Sequence, residues 1–186
     1  MRRLRLAYAP GLIRWSLAAS IGLLLVSAPA CKRKKRSTSP APEPATVLLS
    51  VVNVADPAAT DQLARGFFEL ESNAWRWTAG KFTVFLRPPE GAAERGARLE
   101  LHFNLPDVIV KRIGPVTVSA TLGGRALAPE RCAQPGDYVY TRDVDPSVLR
   151  SNGVAVDFAT DKVLPPTGGD TRELALVVTS IGLVAK

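Results

Sequence analysis

The chain of 186 residues contains a single histidine, His102, two cysteines, Cys31 and Cys132, and one methionine. That scarcity excludes much chemistry. Hydrolysis through a Ser-His-Asp or Cys-His arrangement needs a histidine beside the nucleophile, and His102 falls on the polar side of an alternating apolar stretch, where it reads as an exposed strand residue. A metal site built on His and Cys needs three or four ligands, and only His102 and Cys132 are available. No glycine-rich loop opens a helix after a strand, so nucleotide phosphates have no cradle. The chain is expected to be non-enzymatic and to need no cofactor.

Acidic residues are absent from residues 1–36, which carry nine of the 24 basic residues. The remainder then holds 15 basic against 17 acidic residues, a net of −2, so the overall +7 is not a folded basic surface. Nucleic acid is therefore not an expected partner. Also missing is an apolar run of spanning length: residues 15–30 are sixteen without a charge, against the roughly 20 that a bilayer helix needs.

What is present at the N-terminus has the anatomy of a bacterial export signal. Arg2, Arg3, Arg5 and Arg14 form a positive n-region, residues 21–26 an apolar core, and Ser27-Ala28-Pro29-Ala30 a cleavage-like end before Cys31. A small residue followed by Cys resembles the lipobox of bacterial lipoproteins, in which the Cys31 thiol would be acylated. Ala28 stands where that pattern prefers Leu. Ala28 and Ala30 equally satisfy ordinary signal peptidase, and an uncleaved anchor helix is the third reading. The run Lys32-Arg33-Lys34-Lys35-Arg36 would lie at the membrane surface if Cys31 is lipidated, each residue adding about 1 kcal/mol near anionic head groups. The same run opposes translocation under the positive-inside trend. The expected location is the cell envelope, anchored to a membrane and facing the periplasm or exterior.

Three segments follow from this: a signal at 1–31, a basic and proline-rich linker at 32–45, and a domain at 46–186. Pro40, Pro42 and Pro44 at alternate positions favour an extended spacer. In the domain one short helix is predicted, capped by Asp56, begun by Pro57 and stopped at Gly66. Elsewhere the period is two. Phe82, Val84 and Leu86, then Leu99, Leu101, Phe103 and Leu105, then Val116, Val118, Ala120 and Leu122 alternate with polar positions. Gly123-Gly124 allows a tight reversal, and further strands are predicted at 137–143, 154–159 and 173–184. Eight or nine short strands with these turn signals predict an all-β antiparallel β-sandwich.

Two pairs of acids are placed as glycoside cleavage would need: Glu69 with Glu71 on one strand face, and Asp143 with Asp145. Nothing in the sequence marks either as catalytic, and Asp145 suits a cap for the turn at 146–149. Cys132, beside Arg131 in a loop-like stretch, is either a reactive thiol or a passive one. The sharper feature is Trp75-Arg76-Trp77, because in a strand both indoles share one face and Arg76 the other. Indoles serve as core anchors or as flat platforms for sugar rings. Tyr138 and Tyr140 share a strand face in the same way.

The order Trp75-Arg76-Trp77, Gly123-Gly124-Arg125-Ala126-Leu127, Gly136-Asp137-Tyr138, Asp145-Pro146-Ser147-Val148-Leu149, Asn152-Gly153-Val154, Leu164-Pro165-Pro166 and Asp170-Thr171-Arg172-Glu173-Leu174 resembles a galactose-binding-like jelly-roll module of carbohydrate-active proteins. It runs from about Phe67 to Leu183. The resemblance implies a jelly-roll sandwich that binds glycans or serves as an accessory scaffold, and gives Asp170 and Arg172 a scaffold role. The matching residues are turn and packing signatures, and no sugar ligand of the family maps onto them. Two functions are expected from this reading. One is a carbohydrate-binding module with Trp75, Trp77, Tyr138 or Tyr140 stacking and Arg76 or Asp137 as polar contacts. The other is an interaction lipoprotein that docks an envelope protein, with both Trp in the core.

Overall fold

A computed structural model describes residues 47–186. The signal segment at 1–31, the lipidation site Cys31 and the linker at 32–45 lie outside the described residues. The described chain forms nine antiparallel strands: β1 (Val51–Asn53), β2 (Leu63–Glu71), β3 (Trp75–Leu86), β4 (Ala97–Leu105), β5 (Val116–Leu122), β6 (Arg125–Cys132), β7 (Gly136–Val144), β8 (Val154–Thr160) and β9 (Val177–Ala185). This is the expected antiparallel sandwich.

Strand β3 joins its two layers. Its C-terminal half pairs with β8 from Lys81 to Leu86, continuing through β5 to β6, while Arg76 and Trp77 pair with β9, continuing through β4 to β7. Alternation decides what each layer buries. Phe82, Val84 and Leu86 face inward with Val118, Leu122, Val156 and Phe158, opposite Leu99, Leu101, Ile181 and Leu183. Phe82 stacks on Phe158 with centroids 5.0 Å apart, and Tyr140 meets Phe158 edge-on at 6.3 Å.

The two ends of the sheet, β6 and β7, face each other without a backbone ladder. Arg142 bridges them: its Nε donates to the Ala128 carbonyl at 2.6 Å, Nη2 to the Pro129 carbonyl at 2.9 Å, and Nη1 lies 3.1 Å from Glu130. Tyr140 donates its hydroxyl to the same Ala128 carbonyl at 2.9 Å. A guanidinium thus closes the seam where strand pairing stops.

Several expectations need correction. The helix expected from Asp56 to Gly66 is a 3-10 turn over Pro57–Gln62, capped as expected by Asp56, whose Oδ1 accepts from the Ala58 amide at 2.9 Å. It stops because buried Gln62 is drawn into the sheet, donating to the Leu49 and Phe85 carbonyls and accepting from the Leu49 amide. Gly66 lies inside β2 instead, at φ +76°, where the register with β3 shifts. The last strand begins at Val177 and not at 173, Leu174 making an isolated bridge to Leu164. Two short α-helices, α1 (Ala92–Arg95) and α2 (Asp107–Ile113), were not expected. Cys132 closes β6 in the core, where burial, with Glu130 beside it, pushes the thiol up to about 11. Its surroundings make it passive.

Candidate functional site

The outward face of the layer β3-β9-β4-β7 carries a cross-strand row. Trp77 lies opposite Val177, Val177 opposite Asn104, and Asn104 opposite Asp137. Trp75 stands two residues before Trp77 on the same face, and Glu71 is its partner across the β2–β3 hairpin. These residues and Thr179 line an open groove of about 520 Å³. Both indoles are half-buried; Trp77 packs against the core, and neither belongs to the buried core itself.

Each polar wall of the groove has a local cause. Asn104 Nδ2 donates to Asp137 Oδ1 at 2.8 Å, as directly opposed residues of an antiparallel pair can. Arg172 Nη1 donates to Glu71 Oε1 at 3.1 Å, and its Nε and Nη2 grip the Asp170 carboxylate at 3.0 and 2.8 Å. That guanidinium lies 5.2 Å from the Phe68 ring centroid. The side-chain hydrogen bond from Arg172, then the Arg172 amide, hold the Asp170 carboxyl down at about 2. This is the scaffold ion pair expected of Asp170 and Arg172, and it also fixes Glu71.

Thr179 owes its place to a bulge. His102 is opposite Ser180 and Phe103 opposite Val178, so Thr179 is the extra residue, and its hydroxyl donates to the His102 carbonyl at 3.3 Å. A second depression of about 250 Å³ shares Thr179, Asn104 and Asp137 and continues over His102 and exposed Val139. The His102 side chain stands half-buried on the outward side of its strand, with Nε2 3.4 Å from Glu100.

Of the six candidate binding residues, the structure brings three together: Trp75, Trp77 and Asp137. The other three do not line this groove, for one physical reason, the two-residue period of a strand, although Tyr138 borders the smaller depression. Arg76 points to the opposite face, donating to the Val54 and Phe68 carbonyls at 3.0 and 3.1 Å, so it ties strands and does not contact the groove. Tyr140 is fully buried, with Arg142 over its ring at 4.2 Å, so it has no free face for stacking. Tyr138 shares that inward side: it stacks on Phe103 at 5.5 Å and donates its hydroxyl to the Gln134 carbonyl. Sequence reasoning missed Asn104, Thr179 and the role of Glu71. Asn104 was visible as an outward residue, but only the β9-β4-β7 order puts it beside Trp77.

No protein-family profile matches the chain, and no curated protein matches it. Among solved structures it is similar to the CBM51-2 and INT domains of ZmpB from Clostridium perfringens, at 11% identity and TM-score 0.35. That match covers 73% of this chain and 28% of the other, so the chain spans little more than a quarter of that structure. It is also similar to the CBM36-1 domain of a multidomain xylanase from the hindgut metagenome of Trinervitermes trinervoides. There the identity is 8%, the TM-score 0.35, and the coverage 71% of this chain and 94% of the other. Likeness at this level transfers no residue roles, which rest on this chain's own geometry.

Proposed function

We propose that the Trp75–Trp77 groove is the carbohydrate-binding face of a non-catalytic lipoprotein anchored in the bacterial cell envelope. The observation that carries this reading is the pair of half-exposed indoles on one outer strand face, with Glu71, Asn104 and Asp137 in the same groove. Flat apolar rings edged by hydrogen-bonding groups suit a sugar, which has apolar ring faces and a hydroxyl rim. A few placed polar groups in a largely apolar concavity is the usual make-up of a small-ligand site. Glu71 is tied to Arg172 and Asp137 to Asn104, so both carboxylates act as fixed acceptors. Their half-exposed positions favour this reading over the competing one, an interaction lipoprotein with both indoles in the core.

Affinity electrophoresis of the full-length protein through gels containing envelope and plant polysaccharides tests the groove. Retardation by at least one polysaccharide, lost in Trp75→Ala and Trp77→Ala, is expected; no retardation on any overturns the reading. Anchoring rests on the leader sequence ending in Cys31. Incorporation of a clickable fatty acid should disappear in Cys31→Ala, and labelling that persists removes that residue from the assignment.

A further inference from the structure

The charged side chains lining the groove are both acidic, so beside the neutral indole N–H donors of Trp75 and Trp77 it offers a ligand mainly acceptors. Asp137 has one oxygen engaged by Asn104 and the other free, Glu71 has one engaged by Arg172, and the Asn104 and Thr179 side chains each retain an acceptor oxygen. The nearby cations are already committed. Arg172 uses Nε and Nη2 on Asp170 and Nη1 on Glu71, while Arg98 pairs with Glu100. Asp137 is an exposed carboxylate whose side-chain partner among the described residues is the neutral Asn104, at 2.8 Å. It is common to the larger groove and the smaller depression over His102 and Val139.

We infer that this groove selects saccharides rich in donors, amino sugars above all, and rejects acidic ones. The inference rests on the carbohydrate reading and deepens it. Hydroxyls donate to Asp137, Glu71 and Asn104; an ammonium group near the free Asp137 oxygen gains a charge-assisted hydrogen bond. A uronate, sulfate or phosphate brings acceptors and like charge to the same atoms, and like charges brought together in an interface are disfavoured.

Oligosaccharides of equal length made of glucosamine, N-acetylglucosamine or galacturonic acid are titrated into the full-length protein in detergent, following quenching of tryptophan fluorescence. The glucosamine oligomer is expected to bind about tenfold more tightly than the galacturonate oligomer, the scale of one charge-assisted hydrogen bond, with the N-acetylated oligomer between them. Asp137→Asn should narrow that ratio several-fold. Should the variant fold poorly, added salt on the unchanged protein should narrow it in the same direction. Galacturonate binding as tight as glucosamine overturns this inference and leaves the carbohydrate reading standing. Quenching by none of the three counts against both.

Discussion

Asn104 and Asp137 face each other across β4 and β7, amide to carboxylate at 2.8 Å, on the side of the sheet that the core does not use. An exposed cross-strand pair of this kind is worth about 0.2–1 kcal/mol. Asn104→Ala should therefore lower the unfolding free energy in urea by no more than about 1 kcal/mol. The same substitution should weaken oligosaccharide binding by more than it weakens the fold. Equal losses would make Asn104 a structural residue only.

The indoles make a second contrast. Trp75 is not part of the packed cluster, whereas Trp77 leans on it. Trp75→Ala should cost less than about 1 kcal/mol and Trp77→Ala about 1–2 kcal/mol, both short of the 3–5 kcal/mol of a core Trp. Chemical denaturation of each variant checks the order.

Gly66 permits no side chain. At φ +76° an added Cβ would stand 2.7 Å from the Phe82 Cα and against the Lys81 carbonyl. Left-handed backbone alone costs about 1–2 kcal/mol for a non-glycine residue, and the overlap adds to it. Gly66→Ala should lose more than about 2 kcal/mol of stability, with faster amide exchange along β2.

Asp170 sets an acid limit. Its folded carboxyl is held at about 2 against an ordinary 3.8, so the pairing with Arg172 is fully stabilising above about pH 4. That contribution is lost as the pH falls from about 4 towards 2. Melting temperatures measured through this window should fall more steeply for the wild-type protein than for Asp170→Asn.

Period-two alternation made most of the sandwich readable, because one buried face leaves a regular mark: the inward sides of β3, β4 and β5 can be read residue by residue. The α2 helix left marks too. Asp107 lies in its first turn, Lys111 four residues on pairs with it, and Gly114 ends it at φ +77°. The site was harder to read because its members are far apart in sequence. Trp77, Val177, Asn104 and Asp137 form a row only through strand order, and the order β3-β9-β4-β7 is a non-local property that no local pattern encodes. Neighbours in sequence misled for the same reason: Arg76 and Tyr138 sit beside site residues and point the other way. The turn of Gln62 into the sheet was unreadable because its three hydrogen bonds reach Leu49, 13 residues back, and Phe85 in β3, 23 residues on.

The Arg142 seam affects more than this chain's own closure. β6 carries Pro129, which has no N–H to offer, and the carbonyls of Ala128 and Pro129 are taken by Arg142 from β7. At the seam the row of donors and acceptors that a strand from another molecule would need is therefore interrupted. At high local concentration these two ends resist edge-to-edge polymerisation. Arg142→Ala, by uncovering them, should yield a protein that grows fibrils on standing, where the wild type does not.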